Sequence, residues 1–177
     1  MRDGFDAARE KMQQLGIRVV PYINGRIFDT ATETWQKENG FACASKSAPP
    51  VASASPALST YNESYGSHAV FAVSCPYTSY WQSKISDTTE TLVKTHGVDG
   101  VYLDQIAAAG PKNCFDGSHG HTIGGGDYWV RGYSTMLDEC RSAVRCLAHP
   151  IHPIFPSFNF LLLLIRALPL LCCVGWQ

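Results

Sequence analysis

Between Gly97 and Trp129 the chain reads GVDGVYLDQIAAAGPKNCFDGSHGHTIGGGDYW, and the break at Asp104 inside it limits the folds open to the rest. Val98, Val101, Tyr102 and Leu103 form a short β-prone apolar run that a carboxylate stops. A long Gly- and His-rich loop follows before a helical pattern starts near Asp127. An ionised group at the end of a buried strand is costly unless it opens onto a crevice, and in parallel α/β architectures the strand ends are the ligand face. Asp104 is therefore the first candidate for chemistry.

The flanking text repeats that alternation. Over residues 3 to 15, Phe5, Ala8, Met12 and Leu15 fall at near-helical spacing, with Asp3 placed to cap the start and Gly16 where a helix end wants a left-handed residue. Ile17 to Ile23, IRVVPYI, is a β-rich run after one glycine, the αβ joint of an alternating sheet, and Pro21 takes one donor from it. Residues 30 to 68 predict an excursion above the sheet with room for a short hairpin, since SKSAPPVASASPALST within it is rich in Ser, Ala and Pro. From His68, AVFAVSCP suits a short strand of that excursion, ended by Cys75 and Pro76. Tyr77 to Thr95 predicts a helix through Tyr80, Trp81, Ile85, Thr88, Leu92 and Val93, and Gly97 ends it. Asp127 is placed to cap a last helix whose buried side is Trp129, Tyr133, Met136, Leu137, Cys140 and Val144. The order α, β, long loop, α, β, long loop, α describes two βα units of a parallel sheet, too few to close one.

Composition removes several function classes. With 45% apolar and 16% charged residues the chain is globular, and a net charge of −1 without a basic block argues against nucleic acid as partner. Seven cysteines without a CxxC pair fit neither a zinc ribbon nor a fully paired disulfide framework. The N-terminus, MRDGFDAAREKMQQLG, lacks the apolar core of a signal peptide. After Arg145 the text turns to Pro and then to a leucine block, which divides a domain over 1–146 from an atypical hydrophobic tail over 147–177. Residues 158–174 approach the ~20 apolar residues of a membrane helix. Arg166 and Pro169 count against that anchor, and a tail foreign to the domain, unrelated to it or disordered, is the stronger reading.

YINGRIFD at 22 to 29 and VYLDQIAAAGPKNCFDGSHGHTIGGGDYWVRGY at 101 to 133 resemble a family of glycosidase-like (β/α)8 barrels, related in layout to retaining α-galactosidase and α-glucosidase type enzymes. The resemblance runs over roughly residues 3 to 145. It implies a partial (β/α)8 TIM barrel whose two strands are neighbours, and hydrolysis of O-glycosidic bonds with Asp104 as nucleophile and no cofactor. It also implies a carbohydrate ligand and an extracellular setting. A whole barrel needs about 250 residues. The expectation is thus a fragment, inactive alone, whose acid/base group sits on a later strand.

Other candidates surround Asp104. Asn24 and Arg26 close the first strand on the same edge and suit hydrogen bonds to a substrate. His119 and His121 are expected to bond sugar hydroxyls or support the loop. No metal is expected there, because alternating histidines on an extended segment point apart and no second cluster completes a tetrahedral set. Asp116, beside Gly117, suits turn chemistry, and Gly124, Gly125 and Gly126 a flexible turn. Trp129 suits either a sugar face or the core. The competing classes are a non-catalytic carbohydrate-binding or degenerate barrel and a membrane-anchored protein.

Overall fold

The computed structural model describes residues 3–49, 57–66 and 69–145. Helix α1 (Phe5–Gln14) leads into strand β1 (Tyr22–Asn24), whose partner arrives much later as β7 (Tyr102–Asp104). The two pair in parallel, with Tyr22 opposite Tyr102, Ile23 opposite Leu103 and Asn24 opposite Asp104. A parallel pair needs a crossover. Helix α4 (Ser79–Glu90), prolonged by a π-helical turn over Thr91–Thr95, supplies it, and helix α5 (Tyr128–Val144) follows β7 and packs along α4. The βα alternation read from the sequence is present in a mixed α/β fold. Its parallel sheet has two strands among the described residues and does not close into a barrel.

Strand side chains alternate between faces. Ile23 and Leu103 take the packed side with Val98 and Val101, where Trp81, Ile85 and Leu92 of α4 meet Tyr133, Met136, Cys140 and Val144 of α5. Those helical residues recur at three and four positions, the spacing that puts one stripe on a sheet. Gly132 sets how closely α5 approaches the start of α4. A Cβ there would lie 2.5 Å from the carbonyl carbon of Pro76. Buried Gln82 donates to the Pro76 carbonyl at 2.9 Å, and the Trp81 indole donates to the Gly25 carbonyl at 2.9 Å, tying α4 to the turn after β1.

The excursion between β1 and α4 carries more regular structure than the sequence suggests. Strand β2 (Ile27–Asp29) is followed by helices α2 (Glu33–Lys37) and α3 (Gly40–Cys43), then by β3 (Lys46–Ser47), β4 (Ser59–Thr60), β5 (Asn62–Tyr65) and β6 (Ala69–Val73). β2, β6 and β5 form an antiparallel sheet, and β3 pairs with β4 as the expected short hairpin. Such short strands show no periodicity of their own and gain their order from distant partners. Phe28 of β2 packs edge-on to Trp35 at 5.2 Å and against Trp81 at 5.5 Å, which seats this sheet on α4.

Three local expectations change. Helix α1 begins at Phe5 with Gly4 at the N-cap, φ 82°, so Asp3 does not cap it. Asp127 stands at the N-cap of α5, but its side chain makes no capping bond. The run IRVVPYI contracts to β1 because Pro21 has no N–H to give. Its carbonyls still serve: Val19 O accepts from Asp99 N and Pro21 O from Tyr102 N, both at 2.9 Å. The tail over 147–177, with its domain boundary and its 158–174 span, lies outside the described residues. Among those described, no helix is long and apolar enough to cross a membrane.

Candidate functional site

Because the strand period is two, Tyr22, Asn24, Tyr102 and Asp104 share the face opposite the core. Tyr22 is 56% and Tyr102 40% exposed, and their rings lie 5.8 Å apart. The Tyr22 hydroxyl donates to Asp104 Oδ2 at 2.8 Å, Asn24 Nδ2 donates to that hydroxyl at 3.3 Å, and the Tyr102 hydroxyl stands 3.5 Å from Asp104 Oδ1. Partial burial and the adjacent carboxylate push the Tyr22 phenol up, so it remains a neutral donor. The Asp104 carbonyl accepts from Gly25 N at 3.1 Å, which fixes the strand end. The next residue, Gln105, has φ 62°, a left-handed backbone uncommon outside glycine and often found beside functional groups.

Asn24 stays at this edge, with part of its capacity already used. Its Oδ1 accepts from the backbone N–H of Arg26 at 2.9 Å and of Ile27 at 3.0 Å, a local turn between β1 and β2. Arg26 departs from the expected substrate role. It is 2% exposed and its guanidinium grips Glu63 with bonds of 2.7 and 2.8 Å, a bidentate pair that holds the Glu63 carboxyl down at about 2. Tyr65 donates to Glu63 at 2.7 Å and receives a bond from Gln105 at 3.4 Å, linking this pair to the residue after Asp104. Glu63 escaped the sequence reading because it sits in the excursion, where no pattern marks it.

His119 and His121 do not point apart. Gly120 lies between them with φ 78°, so the segment is not extended, and both rings turn to a pair of buried thiols. His119 Nδ1 stands 3.4 Å from Cys114 Sγ and His121 Nε2 3.4 Å from Cys75 Sγ. The ligand atoms of all four residues lie within 4.8 Å of one another. The closeness of the two thiols favours ionisation of Cys114, held well below the ordinary thiol range, at the expense of Cys75, which is raised. Asp116 accepts from Ser118 N at 2.9 Å and from its hydroxyl at 2.6 Å, the turn chemistry that Asp-Gly suggests.

Trp129 takes the core alternative. It is 7% exposed and edge-on to Tyr133 at 5.4 Å, so the open aromatic area near Asp104 belongs to Tyr22 and Tyr102. A groove of about 460 Å³ runs along α4 beside Glu38, Tyr80, Lys84 and His96 and does not include Asp104.

The family described as Domain of unknown function (DUF6259) matches residues 1–151. A protein of Monosiga brevicollis named "Putative glycoside hydrolase 22789" is 41% identical over 143 residues, 80% of this chain and 12% of that protein. A "Putative glycoside hydrolase" of Bacteroides thetaiotaomicron is 32% identical over 139 residues, 78% of this chain and 20% of that protein. The chain thus spans 12% and 20% of the curated relatives it matches. Among solved structures, a Paenibacillus cycloisomaltooligosaccharide glucanotransferase complexed with cycloisomaltoheptaose superposes with a TM-score of 0.58 at 15% identity, covering 80% of this chain and 18% of that one. At that identity the likeness concerns the fold.

Proposed function

Since the chain belongs to the DUF6259 family, we propose that it is the segment of a glycoside hydrolase-like protein that carries the nucleophilic carboxylate, Asp104. The observation carrying this reading is the parallel register that sets Asp104 beside Asn24 at the end of two adjacent strands, on an open face under two exposed tyrosines. The names of both relatives and the fold shared with a glucanotransferase support it. In a (β/α)8 barrel the C-terminal strand ends form the active face, so β1 and β7 would be neighbouring staves of a partial barrel wall.

In the retaining mechanism Asp104 attacks the anomeric carbon while a second carboxylic acid protonates the leaving oxygen, and water then opens the glycosyl ester. Tyr22 orients the attacking carboxylate, and the tyrosine rings offer apolar area to the C–H face of a pyranose. Glu63 is held ionised by Arg26 and has no proton to give near neutral pH. On this reading the acid is supplied by another part of a longer protein, and this chain alone would not turn substrate over. His119 and His121 support the loop, since every ring nitrogen already faces a protein partner.

The test is Asp104→Asn in the full-length protein, assayed on aryl glycosides and for oligosaccharide binding. Turnover is expected to fall by on the order of 10³-fold or more, with affinity retained. Undiminished turnover would sink the assignment. A parent that binds oligosaccharide and never hydrolyses it would move the protein to the non-catalytic binding class.

A further inference from the structure

We propose that Cys75, Cys114, His119 and His121 bind one Zn²⁺ ion in a closed tetrahedral site that fastens the loop after Asp104 to the corner between β6 and α4. The residues come from separate stretches: Cys75 follows β6, Cys114 lies midway along the loop, and the histidines flank Gly120 at the end of a single 3-10 turn over Gly117–His119. Zn–S bonds of about 2.3 Å and Zn–N bonds of about 2.0–2.1 Å put neighbouring ligand atoms of a tetrahedron roughly 3.3–3.8 Å apart. The two sulfur–nitrogen separations of 3.4 Å fall in that range, and no pair among the four exceeds 4.8 Å.

The imidazole tautomers are already those of ligands. His119 Nε2 faces the Ala42 carbonyl at 2.8 Å and His121 Nδ1 faces the Thr122 carbonyl at 2.9 Å. A carbonyl only accepts, so those nitrogens carry the protons. His119 Nδ1 and His121 Nε2 are left with lone pairs aimed at the thiols. Such outer bonds are how proteins orient metal-binding histidines. Cys114 Sγ also accepts from the backbone N–H of Lys46 at 3.4 Å, and the His121 ring stacks on Tyr128 at 3.9 Å. Cys75 and Cys114 are fully buried, His119 nearly so, and four protein ligands leave no position for substrate, so the site is structural. Two thiolates and two imidazoles suit Zn²⁺ better than Mg²⁺ or Ca²⁺, which take oxygen ligands. Between β7 and α5 the chain has one short 3-10 turn as regular structure, so a metal would supply the ordering that its backbone does not.

The experiment uses the whole chain, purified under reductant and titrated with Zn²⁺ and, as a spectroscopic substitute, Co²⁺. The expected result is about one metal per chain by elemental analysis, with intense visible bands and thiolate charge transfer for the cobalt form. Cys140→Ser, at a buried cysteine outside the cluster, keeps this stoichiometry. Cys114→Ser is expected to lose the thiolate spectrum. His121→Gln, at the partly exposed ligand, is expected to weaken Zn²⁺ by more than the roughly 10–100-fold that loss of an outer-shell partner costs, with far-ultraviolet circular dichroism checking that the variant is folded. A folded parent that takes up only traces of metal would overturn the proposal. So would retention of full metal by both ligand variants, or a parent mass lighter by two hydrogens that reports a Cys75–Cys114 disulfide.

Discussion

Tyr22 keeps its hydroxyl 2.8 Å from Asp104 although more than half of its surface meets water. At such exposure the bond does little for stability, and Tyr22→Phe is expected to change unfolding free energy by less than about 1 kcal/mol. In the full-length protein the same change should lower kcat/KM roughly tenfold, the equivalent of about 1.4 kcal/mol, measured on aryl glycosides. The Arg26–Glu63 pair behaves in the opposite way, because its guanidinium is buried. Removing one partner strands the other, so Glu63→Gln should cost about 3 kcal/mol in urea unfolding at neutral pH. Folding lowers the Glu63 pKa from an ordinary 4.5 to about 2, so the pair's contribution is complete above 4.5 and fades as pH falls toward 2. Melting curves of parent and variant should therefore converge over that acid window; a constant gap would contradict the pair. The strand-end positions of Asp104 and Asn24 were legible because each ends an apolar run. The Arg26–Glu63 pair was not, since its members lie 37 positions apart and one belongs to a segment without periodicity.

At the level of elements, the contact between α4 and α5 depends on the missing side chain at position 132. Gly132→Ala would push a methyl group into the backbone of Pro76 and Tyr77. The helices must then separate, and the expected cost is about 1–3 kcal/mol by urea denaturation, with helix content unchanged by circular dichroism. Both helices could be read from their apolar stripes, as could β1 and β7 from their runs. The caps could not. Asp3 and Asp127 have the right chemistry in the right place, yet Gly4 takes the first helix start and Asp127 leaves its capping bond unmade. The β2–β6–β5 sheet was largely illegible for a related reason: strands this short are chosen by their neighbours and not by their own residues.

For the whole molecule, the family match ends at residue 151, and we propose that residues 1–151 fold without the remainder. A chain stopped there should keep the melting temperature and far-ultraviolet spectrum of the longer one. A truncated chain that melts well below it would show that the tail belongs to the domain. Cys114, His119 and His121 stand close together in the sequence, but the fourth member of the cluster was hidden, because Cys75 lies 46 positions before His121 and spacing rules look for nearby pairs. Its convergence also needed the left-handed Gly120, which no residue count reveals. The pairing of β1 with β7 has one more consequence. Displacing either strand by a single position would swap inside for outside, burying Asp104's charge and presenting Leu103 to water. Insertions or deletions should thus accumulate in the long loops of this family and be purged from the three-residue strands β1 and β7, where even one extra residue exchanges the two faces of the sheet.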